Sequence, residues 1–110
     1  MKLLTKGIRK SLPKLRSTGN LNATNVTVRA KFFDPCSQWT WYVTEGESVI
    51  EDGVEIDFHF YGYVVGHEKE LGYFSLNELQ SIKNNVGLGI ERDKWFGTHN
   101  TLLDVMKSDL

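Results

Sequence analysis

Three histidines, one cysteine and fourteen carboxylates carry whatever ionisable chemistry this chain has, and their spacing limits what it can be. Glu55, Asp57 and His59 stand at i, i+2 and i+4, which on a strand puts them on one side, about 6.6 Å from neighbour to neighbour. Two oxygens and a nitrogen so placed would suit a divalent metal. The plainer reading is a polar strand face open to water, and no metal is expected. His67-Glu68 opens like H-E-x-x-H, but Leu71 fills the second histidine position, so the metalloprotease pattern fails. Cys36 is a nucleophile only where His59, His67 or His99 stands beside it as a base, and no motif demands that. Gly87-Leu88-Gly89 has neither the third glycine nor the preceding strand of a dinucleotide fingerprint, and no Gly-Lys-Ser/Thr occurs. Nucleotide chemistry is therefore disfavoured, no cofactor is expected and no catalytic residue is assigned.

Charge and aromatic groups offer contact surfaces instead. The first 31 residues hold eight basic side chains and no acid, whereas the remainder has five basic and fourteen acidic ones, within a net charge of −1. Such segregation raises the expectation of a charged partner. Glu45, Glu47, Glu51, Asp52, Glu55 and Asp57 place six acids and no base in thirteen residues, a run that either serves solubility or competes with phosphates at a basic cleft. Lys6, Arg9, Lys10, Lys14 and Arg16 form the opposite patch, suited to nucleic-acid phosphates. Glu91, Arg92 and Asp93 read as a salt-bridged loop anchor, with an anion or partner loop as the alternative. Trp39 and Trp41 share one side of a strand; core packing is the first reading and a stacking platform the second, with Tyr61 and Tyr63 extending it if they are exposed.

The elements that must position these groups follow from size and pattern. At 110 residues the chain is expected to be one domain with one modest core. Its composition of 40% hydrophobic and 25% charged residues is that of an ordinary globular protein. A lone cysteine rules out an internal disulfide, and with no apolar leader or membrane-length run a cytoplasmic setting without membrane contact is expected. Two glycosylation triplets, from Asn22 and Asn25, read more simply as a polar loop.

Thr5 caps a short helix carrying Leu4, Ile8 and Leu12, ended or bent at Pro13. Val26, Val28, Ala30 and Phe32 alternate with polar residues as a first strand, and Trp39 to Glu45 makes the second. Gly46 to Gly53 reads as an acidic loop closing on Asp52-Gly53, a turn dipeptide. In the third strand Val54, Ile56, Phe58, Phe60 and Val64 point inward, and Glu55, Asp57, His59, Tyr61 and Tyr63 outward. A short fourth strand covers Glu70 to Phe74. Ser75 and Glu78 form a capping box that predicts a helix from Leu76 to Lys83, and Thr101 with Asp104 predicts a last one. The sum is an α+β fold, a single antiparallel meander of about four strands with short helices packed on one face.

The strings FFDPCSQWTWYVTEGE, YGYVVGHEKELGYFSLNEL and GLGIERDKWF, with the opening LLTKGIRKSLPKL, resemble a bacterial family known as domain of unknown function 2958. The resemblance covers nearly the whole chain. It implies single-domain proteins carried by bacteria, often on plasmids, phages and integrated elements, with no established activity and no assigned functional residues to carry over. Asn84-Asn85-Val86-Gly87 departs from the family, where a Gly-Pro turn is usual.

Three classes of function follow. First is an accessory protein-binding module of a mobile element or phage, with a host defence enzyme as the target its acidic surface would counter. Second is nucleic-acid binding through the basic N-terminal segment and exposed aromatics. Third is a small enzyme using carboxylate acid-base chemistry. A protein partner is expected ahead of nucleic acid; oligomeric state is not legible.

Overall fold

The computed structural model describes residues 1–108. Its centre is the ribbon of β2 (Thr40–Glu51) and β3 (Val54–Val65), twelve residues each. Asp52 and Gly53 close the ribbon with φ of 52° and 77°, the left-handed pair that a two-residue hairpin turn needs. β1 (Ala30–Phe33) lies against β2, β4 (Lys69–Ser75) against β3, and β5 (Glu91–Arg92) on the far side of β1, giving the antiparallel order β4-β3-β2-β1-β5. The α+β meander is present. The sheet has five strands rather than four, because two residues of β5 hold no readable period and are recruited by the edge of β1.

Two stretches differ from their expected form. Gly46 to Glu51 continues β2 instead of looping, since each residue keeps a partner on β3. Val26 to Val28 leaves the ladder, while the Arg29 N–H still donates to the Val43 carbonyl at 2.7 Å. There Thr27 bridges to Thr101, the Val28 N–H donates to the Asn100 carbonyl at 2.9 Å, and the Leu102 N–H donates to the Val26 carbonyl at 2.8 Å.

The three α-helices among the described residues begin at the caps the sequence supplies. Thr5 accepts from the Ile8 N–H ahead of α1 (Lys6–Ser11), and Ser75 accepts from the Glu78 N–H ahead of α2 (Leu76–Ser81), both at 3.1 Å. Thr101 and Asp104 exchange bonds of 2.9 and 3.2 Å at the start of α3 (Leu102–Ser108). α2 stops two residues short of Lys83.

The helices pack on both faces rather than one. Phe32, Trp41, Val43, Phe58, Phe60 and Phe74 form the larger core with Leu79 of α2 and, at its margin, Ile8 of α1. On the reverse face Tyr63 packs with Val26, Val28, Leu102 and Val105 of α3. Alternation separates Phe60 from Tyr63 across the sheet, so the outward side expected for β3 is wet only beyond Tyr63. The inward reading of Phe58 and Phe60 holds, at 3% and 0% exposed, each burial worth roughly 1.5–3 kcal/mol.

Candidate functional site

β1 accompanies β2 only as far as Val43, and β4 accompanies β3 only from Ser75 opposite His59. Beyond those pairs β2 and β3 project as a two-stranded arm. Its ladder skips a residue, for Val49 faces Asp57 while Ile50 faces Glu55, leaving Ile56 unpaired as a bulge. An extra residue reverses the side on which every later residue of the strand points.

Three expectations change in consequence. Glu55 turns to the α1 side, where Arg9 grips its two oxygens at 2.5 and 3.1 Å and lies 5.0 Å over the Phe58 ring. It therefore does not share a face with Asp57 and His59, and among the described residues no three His, Cys, Asp or Glu side chains assemble as a metal site. Val54 and Ile56 point to solvent rather than inward. With Ile50 they are 61%, 47% and 58% exposed, flanked by exposed Glu47, Glu51 and Asp52.

The acids of the expected partner surface have divided roles. Glu45 is 2% exposed and cannot belong to a surface. It accepts from the Arg16 N–H at 2.7 Å, the Thr18 N–H at 3.0 Å and the Thr18 hydroxyl. The Glu47 carboxylate accepts from the Leu15 N–H at 3.0 Å, and the Gly46 N–H donates to the Pro13 carbonyl at 3.0 Å. Residues 13–18 thus form a strap around the free edge of β2, held by carboxylates on main-chain donors. Burial tends to raise the Asp57 carboxyl, but the Asn77 and Phe58 N–H groups hold it below the ordinary range. The hydrogen bond from Arg9 likewise holds Glu55 low. Glu47, Glu51 and Asp52 are exposed on the arm without a cationic partner among the described residues, and Glu55 is exposed there as the partner of Arg9.

The other candidates are dispersed. Glu91 and Arg92 are β5 itself; Arg92 donates to the Lys2 carbonyl, and Asp93 lies 3.7 Å from Lys31. Of the basic segment, Arg9 is taken by Glu55 and the Arg16 main chain by Glu45, while Lys6, Lys10 and Lys14 are exposed. Trp41 is buried, and Trp39 stacks on it with ring centres 5.8 Å apart, leaving no open platform. Tyr63 is buried against α3. Tyr61 stays half-buried beside Tyr73, and its hydroxyl is raised by burial, then by Tyr73 and Glu45. Cys36 is exposed in the β1–β2 turn, its N–H bonded to Asp34. The departing loop is ordered by Asn84, whose side-chain oxygen accepts from the Val86 and Leu88 N–H groups.

Sequence reasoning missed two groups. Trp95 is 94% exposed; the aspartate two residues before it, which binds its N–H, is the local sign of a turn that pushes it outward. Ile50, Val54 and Ile56 carried no sign of exposure, because the bulge comes from pairing and not from local composition.

No curated protein and no solved structure matches the chain. A family model described as a protein of unknown function (DUF2958) matches residues 3–108. That span contains the arm, the strap and every helix, and the chain belongs to the DUF2958 family.

Proposed function

We propose that this chain is an accessory protein-binding module whose β2–β3 arm is the contact surface. The supporting observation is the exposure of Ile50, Val54 and Ile56 on a projecting ribbon edged by Glu47, Glu51 and Asp52. Apolar side chains exposed on the two sides of a thin arm, Ile50 on the Glu55 side and Val54 on the other, gain by being covered, as when a partner's groove takes the tip between its walls. The acids select a partner presenting basic residues around that groove. A nucleic-acid-binding cleft of a host defence enzyme has that character, which suits an accessory protein of a bacterial mobile element. With Glu45 buried, Asp57 bonded to main-chain donors and the exposed Glu55 neutralised by Arg9, the surface works by mixed apolar and acidic contact rather than by a dense run of charge.

Capture from the native host tests this reading, comparing the wild type with the triple variant Ile50→Ser, Val54→Ser, Ile56→Ser after circular dichroism confirms the fold. Recovery of a specific protein should fall about tenfold or more in the variant. Undiminished recovery contradicts the assignment of the arm.

The exposed Lys6, Lys10 and Lys14 favour a second reading, nucleic-acid binding by the N-terminal segment. A DNA titration at two salt concentrations decides it. Tight, salt-sensitive binding that disappears when these lysines are neutralised would replace the arm reading.

A further inference from the structure

The sheet covers its edges unevenly. The outer side of β1 is taken by β5. Past Val43 the free side of β2 is taken by the strap, where the Gly46 N–H donates to the Pro13 carbonyl. Where β4 has ended, the free side of β3 meets Asn77, whose side chain donates to the Ile56 carbonyl at 2.9 Å. β4 is the end strand of the sheet, and among the described residues no strand lies beyond it. An open edge is a row of unpaired N–H and C=O groups, which proteins ordinarily blunt with charge, proline, a bulge or brevity. β4 runs seven residues in unbroken register with β3, holds no proline and carries no charge after Glu70. Leu71 and Tyr73 on its reverse side are exposed, and with exposed Leu21 and half-buried Tyr61 they line a cleft of about 240 Å³ beside the edge. Between them, a Cβ on Gly72 would meet nothing within 4 Å.

We infer that a second copy of this chain occupies this edge, the two β4 strands pairing antiparallel about a two-fold axis at Gly72. Strand addition at a free edge satisfies the main-chain row, and closed two-fold pairing is the ordinary form of self-association. The sequence of β4 selects both occupant and register. Gly72 is the midpoint of Lys69–Ser75, so an axis there pairs the strand whole, whereas an axis at Leu71 or Tyr73 leaves two residues of each strand without a facing strand residue. An axis at Lys69 or Glu70 sets like charges against each other, which is unfavourable. About Gly72, Leu71 of each copy stands opposite Tyr73 of the other, Lys69 opposite Ser75 and Glu70 opposite Phe74, with no like charges facing. One contact thereby covers the exposed apolar side chains of both copies. The two glycines meet with no side chain between them, the setting in which a strand glycine admits a second backbone. The edge uses groups apart from the arm and stands or falls independently of it.

Sedimentation equilibrium of the full chain across about three decades of concentration tests this, since mass action makes self-association concentration-dependent. A monomer–dimer equilibrium is expected, with amide exchange at residues 69–75 slowing as the dimer fills and that at residues 50–56 unchanged. Two double variants at these exposed positions read the register. Leu71→Lys with Tyr73→Lys sets ammonium groups opposite one another and should weaken dimerisation about tenfold or more. Leu71→Lys with Tyr73→Glu sets ammonium opposite carboxylate and should hold it within severalfold of the wild type. A wild type that stays monomeric throughout overturns the proposal, leaving the edge to a strand of another protein or to solvent. So do a dimer whose added protection lies outside β4 and equal dimerisation by the two double variants. Should either double variant fail to fold by circular dichroism, the exchange profile of the wild type decides alone.

Discussion

Ile50 stands opposite Glu55 while the adjacent Val49 stands opposite Asp57, so two carboxylates separated by one residue serve opposite sides of the sheet. Glu55 ties the arm to α1 through Arg9, and Asp57 ties it to the start of α2 through the Asn77 N–H at 3.0 Å. The root of the arm is thereby tied to α1 and to the start of α2, both packed on the larger core, while its tip stays free.

Acid should loosen that root. Glu55 and Asp57 are both held below their ordinary values of 4.5 and 3.8. Their contribution to stability is therefore complete above those unfolded values and lost as pH falls through the lower folded ones. Urea midpoints measured from about pH 6 down to about pH 3 should decline, and Glu55→Gln with Asp57→Asn should flatten the decline while lowering stability at the upper end. The Arg9–Glu55 pair is surface-exposed, so its share is about 0.2–1 kcal/mol and shrinks in salt. An identical decline in the double variant contradicts this.

Gly62 and Gly72 face each other across β3 and β4, yet their replacement by alanine should differ sharply. A Cβ on Gly62 would collide with the carbonyl of Tyr42 on the neighbouring strand, whereas one on Gly72 meets nothing within 4 Å. Main chain cannot step aside as a flexible side chain can. Gly62→Ala should cost more than about 4 kcal/mol or abolish folding, and Gly72→Ala should stay within about 1 kcal/mol of the wild type by chemical denaturation.

Glu45 should matter to the strap more than its charge suggests. Glu45→Ala strands the Arg16 and Thr18 N–H groups and should cost about 2 kcal/mol, whereas Glu45→Gln keeps an acceptor and should cost less. Hydrogen exchange should show the loss at residues 15–18 first. Equal protection there in wild type and Glu45→Ala would show that the strap is held by other contacts.

What the sequence disclosed and what it hid divide along the range of the interaction. Thr5, Ser75 and Thr101 cap their helices through residues three positions away, and Asp52-Gly53 turns within itself, so each was legible locally. Phe58 and Phe60 announced the core by alternation. The Ile56 bulge, the two residues of β5 and the burial of Glu45 under a strap about thirty positions earlier arise only when distant segments meet. The exposed apolar tip belongs to this second group, since alternation alone assigns Val54 and Ile56 to the core face.

Site-specific photo-crosslinking in the native host is the most direct measurement, with the reactive group placed at position 50 on the arm or at position 80 on the exposed side of α2. The arm reading expects one discrete crosslinked protein from position 50, none from position 80, and loss of the product when Val54→Ser and Ile56→Ser are added. A product from position 80 without one from position 50, or a captured partner that position 50 never reaches, would contradict it.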